Sequence, residues 1–153
     1  MSQHALSITC RNQLPEIETA AQLIEAFAAA HGVSADVVFK VNLALDELVT
    51  NIISYAYVDG AEHQIGIRVA LDGDDVSVRV EDDGRPFNPL DAPAPDMGLD
   101  IDRRPIGGFG VHIVRSLMDA IEYRREDDRN IVLMRKRTAA DAAPDAPGGR
   151  NED

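Results

Sequence analysis

A single cysteine, Cys10, stands in a chain of 153 residues, so no internal disulfide can form and a thiolate zinc site lacks ligands. Positive charge is also scarce: 15 Lys and Arg stand against 27 Asp and Glu, a formal net charge of −12. Affinity for a nucleic-acid backbone comes largely from Lys and Arg releasing counterions, and no basic stripe is present, so no nucleic-acid partner is expected. A mononucleotide is a different case, because a few aimed donors and a divalent cation can hold it locally. No apolar run approaches the roughly 20 residues of a membrane span, and residues 1–12 lack a basic segment followed by an apolar stretch. The expectations are therefore no membrane association and a cytoplasmic location. The four histidines, His4, His31, His63 and His112, are too scattered for a metal cluster, and no Ser/His/Asp order suggests a hydrolase triad.

What is present is an ordinary globular composition, 44% hydrophobic and 27% charged, at a length that suits one domain. Residues 1–137 are read as that domain. Residues 138–153, built of Ala, Pro, Asp and Gly, bury too little to offset their ordering entropy and are expected to form a disordered acidic tail. Residues 4–11 read as a strand, and Pro15 opens a helix whose apolar residues recur at spacings of three and four until Gly32. Ser34 is the N-cap of a second, longer helix reaching about Ala56. Residues 64–71 and 75–82 alternate as two strands joined through Asp72-Gly73. From Arg85 to Gly108 the chain is rich in Pro, Asp and Gly, a loop long enough to suggest function. A helix over residues 109–118 and a hairpin of residues 121–125 and 131–137 follow. This pattern predicts an α+β two-layer sandwich, a mixed, mostly antiparallel sheet with helices on one face, rather than a doubly wound parallel sheet.

Three segments carry candidate chemistry. Glu47 and Asn51 are four residues apart and share a face of the long helix, at the flank of the stripe Val41, Leu45, Leu48, Ile52. Spacing alone leaves two readings open: a solvated Glu/Asn face, or a carboxylate base beside an amide oxygen able to ligand Mg²⁺. In the second segment, strand parity puts Asp82 on the same side as Val76, Val78 and Val80. An inward carboxylate needs donors, which a backbone amide, an arginine or the exocyclic amine of a ligand such as adenine would supply, unless the strand ends at Glu81. Gly84 would let a flat ring approach the backbone. The third segment, Gly107-Gly108-Phe109-Gly110, precedes an amphipathic helix, where exposed amides form a phosphate cradle. It is not the dinucleotide fingerprint, since Ile113 stands where a third glycine belongs, and no Gly-Lys-Ser/Thr marks a P-loop. Arg103 and Arg104 read either as solvated loop charges or as phosphate contacts, and His112 either as a surface histidine or as a phosphate or partner contact.

In order and spacing, Leu45-Asp-Glu47-Leu-Val-Thr-Asn51, Asp82-Asp-Gly84-Arg-Pro86-Phe87 and Gly107-Gly-Phe-Gly110 resemble the N-box and the two glycine boxes of the GHKL nucleotide-binding superfamily. The length, the Asp-x-Gly-x-Pro-Phe variant and the short loop are most similar to anti-sigma-factor serine kinases of the RsbW and SpoIIAB type, over residues 10–137. The resemblance implies a Bergerat-type sandwich that binds ATP with Mg²⁺ and transfers the γ-phosphate to a serine of a small STAS-type anti-sigma-factor antagonist. It implies Glu47 as general base or hydroxyl-orienting carboxylate, Asn51 as Mg²⁺ ligand and Asp82 as acceptor of the adenine amino group. Gly84, Pro86 and Phe87 would lie around the base. Arg104, Gly107, Gly108, Phe109 and Gly110 would hold the triphosphate, with residues 88–106 as a lid. It also implies a homodimer whose second partner is a sigma factor or another regulatory target. The alternative is an ATP-binding regulatory module with little or no kinase activity; a histidine-kinase catalytic module would need a helix pair with a phospho-accepting histidine, which the chain does not show. Tyr55 stands where relatives often carry histidine, and the threonine often found in the late strand is replaced near Asn130-Ile131.

Overall fold

Alternation of apolar and polar residues drives five segments into strands, and the computed structural model pairs them into one sheet. It describes residues 4–91 and 111–138, of which residues 111–113 are described by their backbone alone. The elements run β1 (His4–Arg11), α1 (Pro15–Ala30), α2 (Ala35–Tyr55), β2 (Gln64–Asp72), β3 (Asp75–Asp82), α3 (Val111–Leu117), β4 (Ala120–Glu126) and β5 (Arg129–Arg137), with a 3-10 turn at Pro89–Asp91. The strand order is β1-β2-β3-β5-β4, and each of these pairings is antiparallel. The expected α+β sandwich is thus found, with the core between the sheet and its helices. Val41, Leu45, Leu48 and Ile52 of α2 meet Ile65, Ile67 and Val69 of β2, Val78 and Val80 of β3 and Val132 of β5 in one buried cluster.

The helix boundaries have local causes. Pro15 opens α1, and its C-terminus closes in a Schellman motif, in which Val33 N–H donates to the Ala28 carbonyl (3.0 Å) and Gly32 N–H to the Ala29 carbonyl (3.4 Å). Ser34 caps α2, its hydroxyl accepting from the Val37 amide at 3.2 Å.

One turn differs from expectation. Asp72 and Asp75 are paired across β2 and β3, so the hairpin loop is Gly73-Asp74 rather than Asp72-Gly73. Gly73 has φ +62°, and with positive φ confined to the first loop residue the turn is of the type II′ kind, which favours glycine there. The β4–β5 hairpin instead places both loop residues, Asp127 (φ 52°) and Asp128 (φ 64°), in the left-handed region, as a type I′ turn requires. Of the segment expected to be a disordered tail, Thr138 is described, and its amide and hydroxyl both donate to the Asp74 carbonyl; residues 139–153 lie outside the described residues.

Candidate active site

Asp82 is the last residue of β3, between Ile65 of β2 and Asn130 of β5. Its side chain points to the helix layer, as parity requires, and the residue is 1% exposed. Among the described residues the donors are a backbone amide and a side-chain amide rather than an arginine: Asp82 Oδ1 accepts from Gly84 N–H and from Asn130 Nδ2, each at 2.9 Å. Burial pushes the carboxyl above the usual aspartate range, a shift that those two hydrogen bonds oppose and the neighbouring Asp83 charge reinforces.

Asn130 is the residue that sequence reasoning undervalued. It is 1% exposed, and besides Asp82 its Nδ2 donates to the Arg85 carbonyl at 2.8 Å. Its Oδ1 accepts from Phe87 N–H at 3.2 Å, the Tyr123 hydroxyl at 2.7 Å and Arg125 Nη1 at 3.1 Å. Arg125 Nη1 also donates to the Gly84 carbonyl at 2.9 Å. Residues 82–87 are thereby tied to β4 and β5. The available signal was the one used for Asp82: Asn130 shares its strand face with Val132 and Met134, so its polar side chain is directed inward.

The same segment closes the C-terminus of α2, whose last carbonyls have no partner within the helix. Arg85 N–H donates to the Ala56 carbonyl at 2.9 Å, and Arg85 Nε to the Tyr55 carbonyl at 2.8 Å. Gly84 lies so close to this helix end that a Cβ on it would stand 2.6 Å from the Ala56 carbonyl oxygen. Close packing on Ala56 thus requires this glycine, a constraint separate from the expected approach of a flat ring. Pro86 is exposed; Phe87 is half-buried, its ring 5.7 Å from that of Tyr55.

Glu47 and Asn51 lie one turn apart on α2, at 5% and 9% exposure, so the solvated-face reading is excluded. Asn51 Nδ2 is buried with no hydrogen-bond partner among the described residues. A half-turn of that amide would exchange the orphan donor for an oxygen, the hard donor that Mg²⁺ takes. Asn51 therefore fits the metal role. Mg²⁺ commonly keeps several waters and takes its other ligands from phosphates, so it does not need a cage of protein carboxylates. Gly107, Gly108, Phe109 and Gly110, together with Arg103 and Arg104 and the lid segment beyond Asp91, lie outside the described residues, as does the side chain of His112.

Beside Asp82 sits a charged cluster. His63 Nε2 is 2.8 Å from Asp59 Oδ2 and Nδ1 is 3.4 Å from Asp83 Oδ1, and the ring stacks on Tyr57 at 4.4 Å. The Asp59 hydrogen bond, with help from the Asp83 charge, raises the imidazole pKa above its ordinary 6.5. A raised folded-state pKa adds stability that is complete below the unfolded value and is lost as pH rises through the folded one. In thermal unfolding from about pH 6 to about pH 8, the Tm difference between wild type and His63→Gln should shrink with rising pH and with added salt. A difference independent of pH would show that the imidazole charge contributes nothing.

Comparison with known proteins places the chain in a family. A family described as the histidine kinase-like ATPase domain matches residues 10–136. The chain is similar to serine/threonine-protein kinase BtrW of Bordetella bronchiseptica, 28% identical over 109 residues, covering 71% of this chain and 77% of that one. It is also similar to serine-protein kinase RsbW of Listeria monocytogenes (24% identical, covering 72% of this chain and 73% of the relative) and of Bacillus subtilis (24%, covering 69% of each). Among solved structures, the RsbU and RsbW domains of Rv1364c from Mycobacterium tuberculosis match with a TM-score of 0.64 at 16% identity, over 88% of this chain and 32% of that one. That likeness shows the fold. No helix among the described residues is long and apolar enough to cross a membrane.

Proposed function

The chain belongs to the histidine kinase-like ATPase domain family, and from that premise we propose that it is an ATP- and Mg²⁺-dependent protein-serine kinase of a partner-switching module. Its substrate is a serine on a STAS-type anti-sigma-factor antagonist, and its second partner is a sigma factor or another regulatory target. The observation that carries this reading is Asp82, a carboxylate buried at a strand end and held on one oxygen by Gly84 and Asn130. Such a group is a pure acceptor when ionised and suits the amino group of adenine.

Glu47 and Asn51 supply the chemistry on the neighbouring helix. Glu47 takes or orients the proton of the attacking serine hydroxyl, and Asn51 holds Mg²⁺ together with the phosphates. Bound there, Mg²⁺ would supply neutralisation of charge on the transferring phosphoryl group. Arg104, Gly107, Gly108, Phe109 and Gly110 hold the triphosphate, with backbone amides at the start of α3 as donors. Local donors and the cation offset the unfavourable net charge of −12. The acidic surface suits partners with basic patches, and the active form is a homodimer located in the cytoplasm.

Thermal unfolding with and without ATP and Mg²⁺ tests the nucleotide reading without knowledge of any partner. At about 100 times Kd, ATP should stabilise the wild type by about 2.7 kcal/mol, and Asp82→Ala should abolish the shift. A folded wild type that ATP does not stabilise would overturn the proposal. Stabilisation by ATP without phosphate transfer to an antagonist would instead identify an ATP-binding regulatory module.

A further inference from the structure

We propose that Tyr123 and Arg125, acting through Asn130, make the base end of the site selective for a purine carrying an exocyclic amine over one carrying a carbonyl at that position. The inference rests on the nucleotide-binding reading above and concerns residues which that reading leaves without a role.

Asn130 has two N–H groups and one oxygen with two lone pairs. Both N–H groups are spent, on Asp82 Oδ1 (2.9 Å) and on the Arg85 carbonyl (2.8 Å). The oxygen's two lone pairs are shared by three donors, Phe87 N–H (3.2 Å), the Tyr123 hydroxyl (2.7 Å) and Arg125 Nη1 (3.1 Å). Turning the amide over would set its N–H groups against these three donors and its oxygen against a carboxylate and a carbonyl. In a residue 1% exposed, no water compensates for that mismatch. The protein itself, and not the ligand, therefore sets the orientation of the Asn130 amide.

The consequence falls on Asp82. Asn130 cannot turn to offer a donor to a ligand, and ionised Asp82 has none. An amino group entering here finds an acceptor. A carbonyl finds acceptor facing acceptor, with no group able to reorient toward it. A hydroxyl residue at position 130 would rotate freely between donating and accepting and would not impose this asymmetry. The asparagine imposes it because its amide is fixed at both ends, and two of the three donors on its oxygen, Tyr123 and Arg125, come from β4. Tyr123 and Arg125 alternate with Glu122 and Arg124 along β4, and they share the inward face of Asn130. They are positioning residues, acting through Asn130 and then Asp82.

The test compares ATP with ITP, whose base carries a carbonyl in place of the amine and a hydrogen on the adjacent ring nitrogen. Affinities are measured by calorimetry for the wild type, Tyr123→Phe, Arg125→Met and the double variant, each first shown to be folded by circular dichroism. Wild type should prefer ATP by about 100-fold or more, as sites with fixed polar groups do. Tyr123→Phe should narrow the ITP-to-ATP ratio of Kd by about tenfold, and the double variant should narrow it further. A merely structural role would weaken both nucleotides in parallel and leave the ratio unchanged, and that result would overturn the inference. Equal wild-type affinity for ATP and ITP would overturn it as well. A wild type that binds neither nucleotide would overturn the underlying nucleotide reading, which a changed or unchanged ratio does not. If Arg125→Met fails to fold, Tyr123→Phe decides alone, because it removes one hydroxyl and keeps the ring.

Discussion

Replacing Glu47 by Gln should lower the rate of phosphate transfer by about 10²- to 10⁴-fold, the usual contribution of a positioned general base, while ATP still stabilises the fold. The substitution keeps volume and polarity and removes only the charge and basicity, so a loss of rate cannot be assigned to a cavity. Glu47 is 5% exposed and one turn from Asn51 on a helix packed into the core. It is therefore held in place rather than swinging in solvent, as a group that must meet a hydroxyl in one geometry should be. The measurement is transfer from γ-labelled ATP to a STAS-domain antagonist, run beside thermal unfolding with ATP. Full transfer by Glu47→Gln would remove the base assignment. Loss of transfer together with loss of ATP stabilisation would move Glu47 from the chemical step to nucleotide binding.

Gly84→Ala should have the largest effect on stability. The new Cβ would stand 2.6 Å from the Ala56 carbonyl oxygen, 2.8 Å from the Ala56 Cβ and 3.0 Å from its carbonyl carbon. Two of these three atoms are backbone at a helix end, so no flexible side chain can give way. Residues 84 and 85 must retreat instead. The retreat strains the Arg85 N–H bond to Ala56 and the Gly84 N–H bond to Asp82, each 2.9 Å. Overpacking of this kind costs about 1–3 kcal/mol, a fall in Tm of about 3–12 °C for a domain of this size. Gly66→Ala is the matched control, because a Cβ there meets its nearest atom, the Glu81 carbonyl oxygen, at 4.0 Å. It should change Tm by no more than a degree or two. Equal effects of the two substitutions would show that the close approach at Gly84 carries no special cost. Gly84→Ala should also weaken ATP binding, since it displaces one of the two donors that fix Asp82.

The two hairpins show how far local pattern reaches. Strand alternation alone located β2 and β3, yet the turn between them is displaced by one residue. The Asp-Gly pair suits a turn with positive φ at both positions, whereas the observed loop is Gly73-Asp74 with the glycine first. Cross-strand pairing decided between them. The β4–β5 turn carries no glycine at all; two aspartates take up the left-handed conformations, and the flanking alternation is what marked the hairpin.

At the site, the inward direction of Asp82 and the shared face of Glu47 and Asn51 were legible because each depends only on the period of its own element. Burial of that helical face was not, since both a solvated face and a cleft fit the same spacing. Gly84 was legible as a special position but not for the observed reason, which is the end of α2 lying against it. Asn130 could be placed on the inner face of its strand, but its five hydrogen bonds join β3, β4, β5 and the turn after Asp82.

The sequence by itself determined the elements and the faces of their side chains, because backbone sterics and hydrophobic periodicity act between neighbours along the chain. The tertiary structure alone decided which donors hold Asp82, why residue 84 must be glycine and which way the Asn130 amide points. Those are matters of hydrogen-bond complementarity and close packing between segments far apart in sequence, which meet only once β5 has closed beside β3.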